Sequence, residues 1–179
     1  DQMSIAIQRA ATANAGLDQT VCASGPQVQL AGSVGGTAVG GTWSGGAGTF
    51  SPSAAALNPI YTPTAEEIAA GGVNLTLATN DPDGPCLAAS DQMRVTINAA
   101  ATANAGPDQA VCASSPQAQL AGLAGGAAVG GAWSGGAGTF SPGASALNAS
   151  YTPSAGEIAA GGVTLTLTTQ DPSGPCPAV

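Results

Sequence analysis

The chain has no histidine and no lysine, and Arg9 and Arg94 are its only cationic side chains. Each absence removes a class of function. Ser-His-Asp and Ser-Lys arrangements cannot be built, and general acid–base work would fall on carboxylates alone. Ten acidic residues against two arginines give a net charge of -8 and a pI near 4.1. That balance leaves no footprint for nucleic acid or anionic lipid. Aromatic residues are 3% of the chain, and no apolar run approaches the roughly 18 residues that span a bilayer. Leu, Ile, Val and Phe total only 29 of 179 residues. So low a fraction signals disorder when the charge is high. Here the charge per residue is small and mean hydropathy is positive, +0.21, which points to a folded chain. Gly and Ala, 27 and 39 residues, take up the difference.

What is present is one unit written twice. A shift of 90 residues aligns the chain with itself without a gap, with 64 identities in 89 positions. GTWSGGAGTF at 41–50 matches GAWSGGAGTF at 131–140 at nine of ten positions. A period this long exceeds a solenoid unit and fits a small domain repeated in tandem.

Within a repeat the pattern is that of strands. Val73, Leu75 and Leu77, then Val163, Leu165 and Leu167, then Met93, Val95 and Ile97 each alternate with more polar residues, the period of a half-buried strand. Shorter candidates are 27–31, 41–44 and 56–61. Turn signals separate them: Gly45-Gly46, Ser51-Pro52, Gly71-Gly72 and the 81–85 segment DPDGP. The expected fold is all-β, two tandem β-sandwiches. Thr64-Ala65-Glu66-Glu67 before Gly71, and Ser154-Ala155-Gly156-Glu157 before Gly161, predict one capped helical turn per domain.

The repeat is out of phase with the chain. Residues 11–98 read as repeat 1, closing on the strand that begins Asp91-Gln92-Met93. Residues 99–179 read as repeat 2 without that last strand. Residues 1–10 begin Asp1-Gln2-Met3 and read as the same strand with no domain before it. The chain also opens on Asp rather than Met, as a processed product or an excerpt would. Two arrangements fit: a two-repeat window of a longer array, or subunits that donate Met3, Ile5 and Ile7 to a neighbour's incomplete sandwich. Either one predicts a head-to-tail homopolymer.

The four cysteines allow three pairings. Cys22 and Cys86, and Cys112 and Cys176, are each 64 residues apart. A self-contained unit predicts Cys22–Cys86 and Cys112–Cys176, worth roughly 4 kcal/mol each in the chain-entropy account. Disulfides imply an oxidising, extracellular setting. A metal site lacks both CxxC spacing and histidine. Trp43 and Trp133 are expected in the core, with a sugar-stacking platform as the functional alternative. Asp81 with Asp83, its counterpart Asp171, and Asp18 could supply oxygen ligands to Ca²⁺, although solvated turns explain them as well. The sequons at Asn74 and Asn148 are not kept in the sister repeat. No cofactor or catalytic residue is expected.

The strings ATANAGPDQAVCAS, AGGAWSGGAGTFSP and ALNASYTPSAGEIAAGGVTLTLTTQDPSGPCPAV carry a resemblance covering both repeats. The chain resembles the PKD-like, immunoglobulin-like repeats that occur in tandem in very large secreted or cell-surface bacterial proteins. That resemblance implies a sandwich fold, an extracellular location and adhesive or structural work. The out-of-phase strand makes copies of the chain itself the expected partners, and the alternative of adhesin repeats would take a glycan or a surface ligand. It brings no catalytic residues. Trypsin is expected to cut only after Arg9 and Arg94, so a full digest mapped by mass spectrometry should give no other tryptic ends.

Overall fold

The computed structural model describes residues 1–80, 86–170 and 174–179. The chain divides into two compact units, Asp1–Ile97 and Asn98–Val179.

In the first unit the strands are β1 (Thr12–Asn14), β2 (Gln19–Cys22), β3 (Val28–Gln29), β4 (Ser33–Gly35), β5 (Gly40–Ser44), β6 (Thr49–Ser51) and β7 (Ile60–Thr62). After a short helix, α1 (Ala65–Ala69), come β8 (Gly72–Asn80) and β9 (Ser90–Asn98). They form a four-stranded sheet in the order β2-β9-β8-β5 and a three-stranded sheet in the order β3-β7-β6, with β1 paired to β4. The alternation read from the sequence becomes alternation of burial. Leu75 and Leu77 of β8 and Met93, Val95 and Ile97 of β9 turn inward, while Asn74 and Arg94 stay exposed. They pack with Trp43 of β5 against Val28, Leu30 and Tyr61 from the facing side in one cluster. Trp43 is the largest member, and its indole Nε1 donates to the Leu57 carbonyl at 3.0 Å, so a bulky residue is buried with its polar atom satisfied.

The second unit repeats the plan with β10 (Thr102–Asn104), β11 (Ala118–Gln119), β12 (Leu123–Gly125), β13 (Gly130–Ser134), β14 (Thr139–Ser141), β15 (Ser150–Thr152), α2 (Ala155–Ala160) and β16 (Thr166–Gln170). Register is kept: Trp133 lies opposite Leu167 as Trp43 lies opposite Leu77. Among the described residues the β13-β16 sheet, however, has two strands. The expected strand through Val163, Leu165 and Leu167 forms only from Thr166 onward. Its counterpart β8 starts at Gly72, where Gly72 to Ala78 pair with β9. Without an occupant in the β9 position, residues 162–165 have no ladder to join, and the strand shortens by those four residues.

Both predicted helical turns form with full capping boxes on Thr64 and Ser154. The capping glutamate does more than cap. Glu67 accepts from the Thr64 and Ala47 amides at 2.9 and 2.7 Å, and the Tyr61 hydroxyl donates to it at 2.8 Å. Tyr61 in turn accepts from the Gly48 amide at 3.0 Å. Glu157, Ser154, Ala137, Tyr151 and Gly138 repeat the set. This contact explains Gly46 and Gly48 of the WSGGAGTF motif. Gly46 sits at φ 72°, and a Cβ there would collide with the Tyr61 hydroxyl.

The same contact sets a pH window. Burial first, then the hydrogen bond to Glu67, pushes Tyr61 up to about 12. Burial works against ionised Glu67, but the Thr64 and Ala47 amides and the Tyr61 hydroxyl outweigh it and hold the carboxyl below its usual range. The Ser154 amide is the main cause that lowers Glu157 to about 2. A depressed carboxyl pKa gives stability that is present above the unfolded value and is lost as pH falls through the folded one. A raised tyrosine pKa gives stability that is present below about 10 and is lost as pH rises toward 12. Thermal melts should therefore show a lower Tm from about pH 4.5 down to pH 2 and again from pH 10 to 12. The Glu67→Gln/Glu157→Gln double variant should melt lower at neutral pH and lose most of the acid slope.

Candidate interaction groove

In the first unit β9 lies between β8 and β2 and drives Met93, Val95 and Ile97 into the core, where they are 2%, 0% and 4% exposed. Fully burying three such side chains contributes about 5–8 kcal/mol before entropy is charged. In the second unit the same place is a groove of about 460 Å³, lined among others by Val111, Leu120, Trp133, Tyr151, Ile158 and Leu165. Their counterparts Val21, Leu30, Trp43, Tyr61, Ile68 and Leu75 all pack in the first core. The second core shows the loss. Its buried cluster is Leu120, Trp133, Ala149, Tyr151 and Leu167, with Leu165 only partly buried. Val111 rises to 44% exposure, and residues 109–112, which match β2, form no strand beyond the single bridge of Cys112 to Ser115.

Met3, Ile5 and Ile7, the sequence counterparts of Met93, Val95 and Ile97, are 84%, 73% and 92% exposed and belong to no strand. The structure therefore holds an apolar strand sequence without a groove and a groove without a strand. The two tryptophans are not exposed platforms. Trp43 and Trp133 are 2% and 4% exposed, and rings so covered offer no face to a sugar.

The cysteines correct the sequence-based pairing. Cys22 and Cys176 are disulfide-bonded, whereas Cys86 and Cys112 are free thiols. The reason is distance along β9. The Asp91 carboxylate accepts from the Ala15 amide and the Asp18 carboxylate accepts from the Arg94 amide, both across 76 residues. The segment 15–22 thus runs in the direction of β9, and Cys22 at the end of β2 comes beside Ile97 and Asn98. Cys86 precedes β9 and lies at its other end, with Sγ 3.5 Å from the Arg9 carbonyl oxygen. Seven or more residues of strand, at about 3.3 Å each, separate the two ends. A disulfide needs Cα atoms within about 7 Å. Equal spacing in sequence marked the cysteines as a set and gave no information about which end of the sandwich each one occupies.

Of the candidate Ca²⁺ ligands, Asp81, Asp83 and Asp171 lie outside the described residues, and Asp18 is engaged by the Arg94 amide at 2.8 Å. Among the described residues no three His, Cys, Asp or Glu side chains converge, and no helix is long and apolar enough to cross a membrane.

Two facing sheets, edge strand β1 and the tandem arrangement define an immunoglobulin-like β-sandwich repeat. Solved structures with this fold include Sidekick-1 immunoglobulin domains 1–4, at 12% identity and a TM-score of 0.52 over 94% of this chain and 50% of that one. Another is a protocadherin gammaB7 EC3-6 cis-dimer structure, at 15% identity and a TM-score of 0.51 over 82% and 43%. The chain spans about half the length of each or less, and at this identity the likeness is one of fold. No family model matches the chain, and no curated protein does.

Amide hydrogen exchange reads the difference between the two units directly. Leu75 and Leu77 in β8 are expected to be strongly protected, while the amides of Val163 to Leu165 exchange at least tenfold faster than their counterparts at 73–75. Equal protection in the isolated chain would mean that the groove is already filled.

Proposed function

We propose that this protein is a structural element of an extracellular filament, built head to tail from immunoglobulin-like repeats in which each sandwich is completed by the strand leading into the next. The observation that carries this reading is the pairing of opposites within one chain. Met93, Val95 and Ile97 are buried where β9 fills its site, Met3, Ile5 and Ile7 are exposed, and the second unit carries an open copy of that site. The β9 register supplies the docking register. Val73 faces Val95 and Leu75 faces Met93, so a donated strand would set its Ile5 opposite Val163 and its Met3 opposite Leu165. Backbone pairing gives affinity, and alternate side chains in the groove fix register.

A strand of this kind is donated by a second copy, or by the next repeat where repeats follow in one chain. Either route leaves no unpaired central strand along the fibre, which suits an element that bears load rather than one that catalyses. The absence of histidine and lysine agrees with a non-enzymatic role. An extracellular setting is supported by the disulfide and by the fold shared with the Sidekick-1 immunoglobulin domains. A bacterial surface origin follows the PKD-like motifs of the sequence. Adhesion to a glycan or other surface ligand is the second reading. It would require a polar, exposed platform that the buried tryptophans do not provide.

The chain at increasing concentration should form linear polymers, followed by light scattering and electron microscopy. Ile5→Asp should abolish them by placing a charge in the groove. A peptide of residues 1–10 should cap the polymers and raise the Tm of the second unit. A chain that stays monomeric at millimolar concentration and ignores the peptide would refute strand donation.

A further inference from the structure

Each repeat carries a cysteine at each end of its sandwich, and the two ends are marked by the same piece of strand. The first cysteine of a repeat, Cys22, lies beside Ile97 and Asn98, the end of the strand that completes that repeat. The second cysteine lies against the end of the strand that leads into its repeat. Cys86 Sγ is 3.9 and 3.5 Å from the carbonyl oxygens of Gln8 and Arg9, and Cys176 Sγ is 3.7 and 3.4 Å from those of Asn98 and Ala99. Gln8 and Asn98 are counterparts under the 90-residue shift. The two cysteines referred to the Asn98 strand end are therefore Cys22 and Cys176, and these are the disulfide-bonded ones. Cys86 is referred to the Gln8 strand end. Cys112, the counterpart of Cys22, is referred to whichever strand enters the second groove.

We propose that Cys112 of one copy and Cys86 of the next form an intermolecular disulfide when the Met3–Ile7 segment of the second copy occupies the groove of the first. The inference rests on the strand-donation reading. In the β9 register, docking sets Gln8 beside Cys112, and Gln8 already carries Cys86. Cys112 is exposed, with Ser114 Oγ 3.1 Å from its Sγ. Bonding from the Ser114 side chain and then its backbone holds the thiol below its ordinary pKa, which favours the attacking thiolate.

The oxidant is a small disulfide of an extracellular compartment, such as oxidised glutathione. The Cys112 thiolate attacks one of its sulfurs, breaks that S–S bond and releases one thiolate, leaving a mixed disulfide. The Cys86 thiolate of the next copy then attacks the Cys112 sulfur and expels the second. Two protein thiols give up two protons and two electrons, and one small disulfide becomes two thiols. Every strand-mediated joint is thereby locked covalently, so a fibre held by burial and backbone pairing resists pulling and dilution.

The test polymerises the full chain in an oxidised/reduced glutathione buffer. Assembly is followed by electron microscopy, bonding by non-reducing denaturing electrophoresis, and linkage by peptide mapping. A ladder in steps of 16.8 kDa with a Cys112–Cys86 cross-linked peptide is expected. Cys112→Ser and Cys86→Ser should each lose the ladder beyond the monomer yet still polymerise under native conditions. Fibres whose two thiols remain open to alkylation, or a map showing Cys22–Cys86 or Cys112–Cys176, would overturn the disulfide and leave strand donation standing. Chains that form no polymer at any redox poise would overturn strand donation and the disulfide with it.

Discussion

Everything in this chain turns on whether the central sheet position between β8 and β2 is occupied. In the first unit β9 fills it, and three consequences follow from that one strand. The core gains Met93, Val95 and Ile97, β8 extends across nine residues, and β2 finds a partner on the far side. In the second unit the position is vacant, and the same three consequences are reversed in a sequence that is otherwise nearly the same. The two units thus act as an internal control: composition, turns and caps are held almost constant while one strand is removed. Sheet pairing is cooperative in this sense, because an edge forms only where a neighbour offers backbone donors and acceptors.

The scarcity of large side chains fits that design. A core built mostly of Ala, Gly, Val and Leu is thin, and a single Trp and Tyr per unit fill much of it. With so little surplus apolar area, withdrawing three side chains is felt through the whole sheet. The Glu67–Tyr61 contact and its Glu157–Tyr151 copy persist in both units, because they lie on the facing sheet and its hairpin and owe nothing to β9. They anchor the half of the sandwich that survives when the groove is open. On the proposed reading, that anchored half is what keeps an acceptor groove shaped before its strand arrives.

The cysteines extend the same logic to chemistry. Placing the two thiols of a repeat at opposite ends makes them useless as a staple within it. It also ties each of them to a strand end that belongs to a junction. The oxidation state of Cys86 and Cys112 then reports on assembly rather than on folding, if assembly proceeds as proposed.

Much of the fold was legible in the sequence, for identifiable reasons. The two-residue alternation at 73–77 and 93–97, the Gly-Gly turns and the capping boxes are local signals. Each states its own structure because its partners lie within a few residues or on the same strand. The 90-residue shift matched Met3, Ile5 and Ile7 to Met93, Val95 and Ile97, and the structure leaves these three exposed and outside any strand. Tertiary structure alone decided the rest. The 163–167 alternation promised a full strand, but a strand needs a neighbour, and the ladder is absent there. The 64-residue cysteine spacing suggested an internal bridge, but separation along the chain carries no information about which end of a sandwich a residue reaches. That is set by the direction in which β2 runs beside β9, a relation between segments 76 residues apart. Sequence by itself determined the repeat, its strands and the residues that need burying. Only the packed structure decided where burial is complete, because burial and pairing belong to two segments at once.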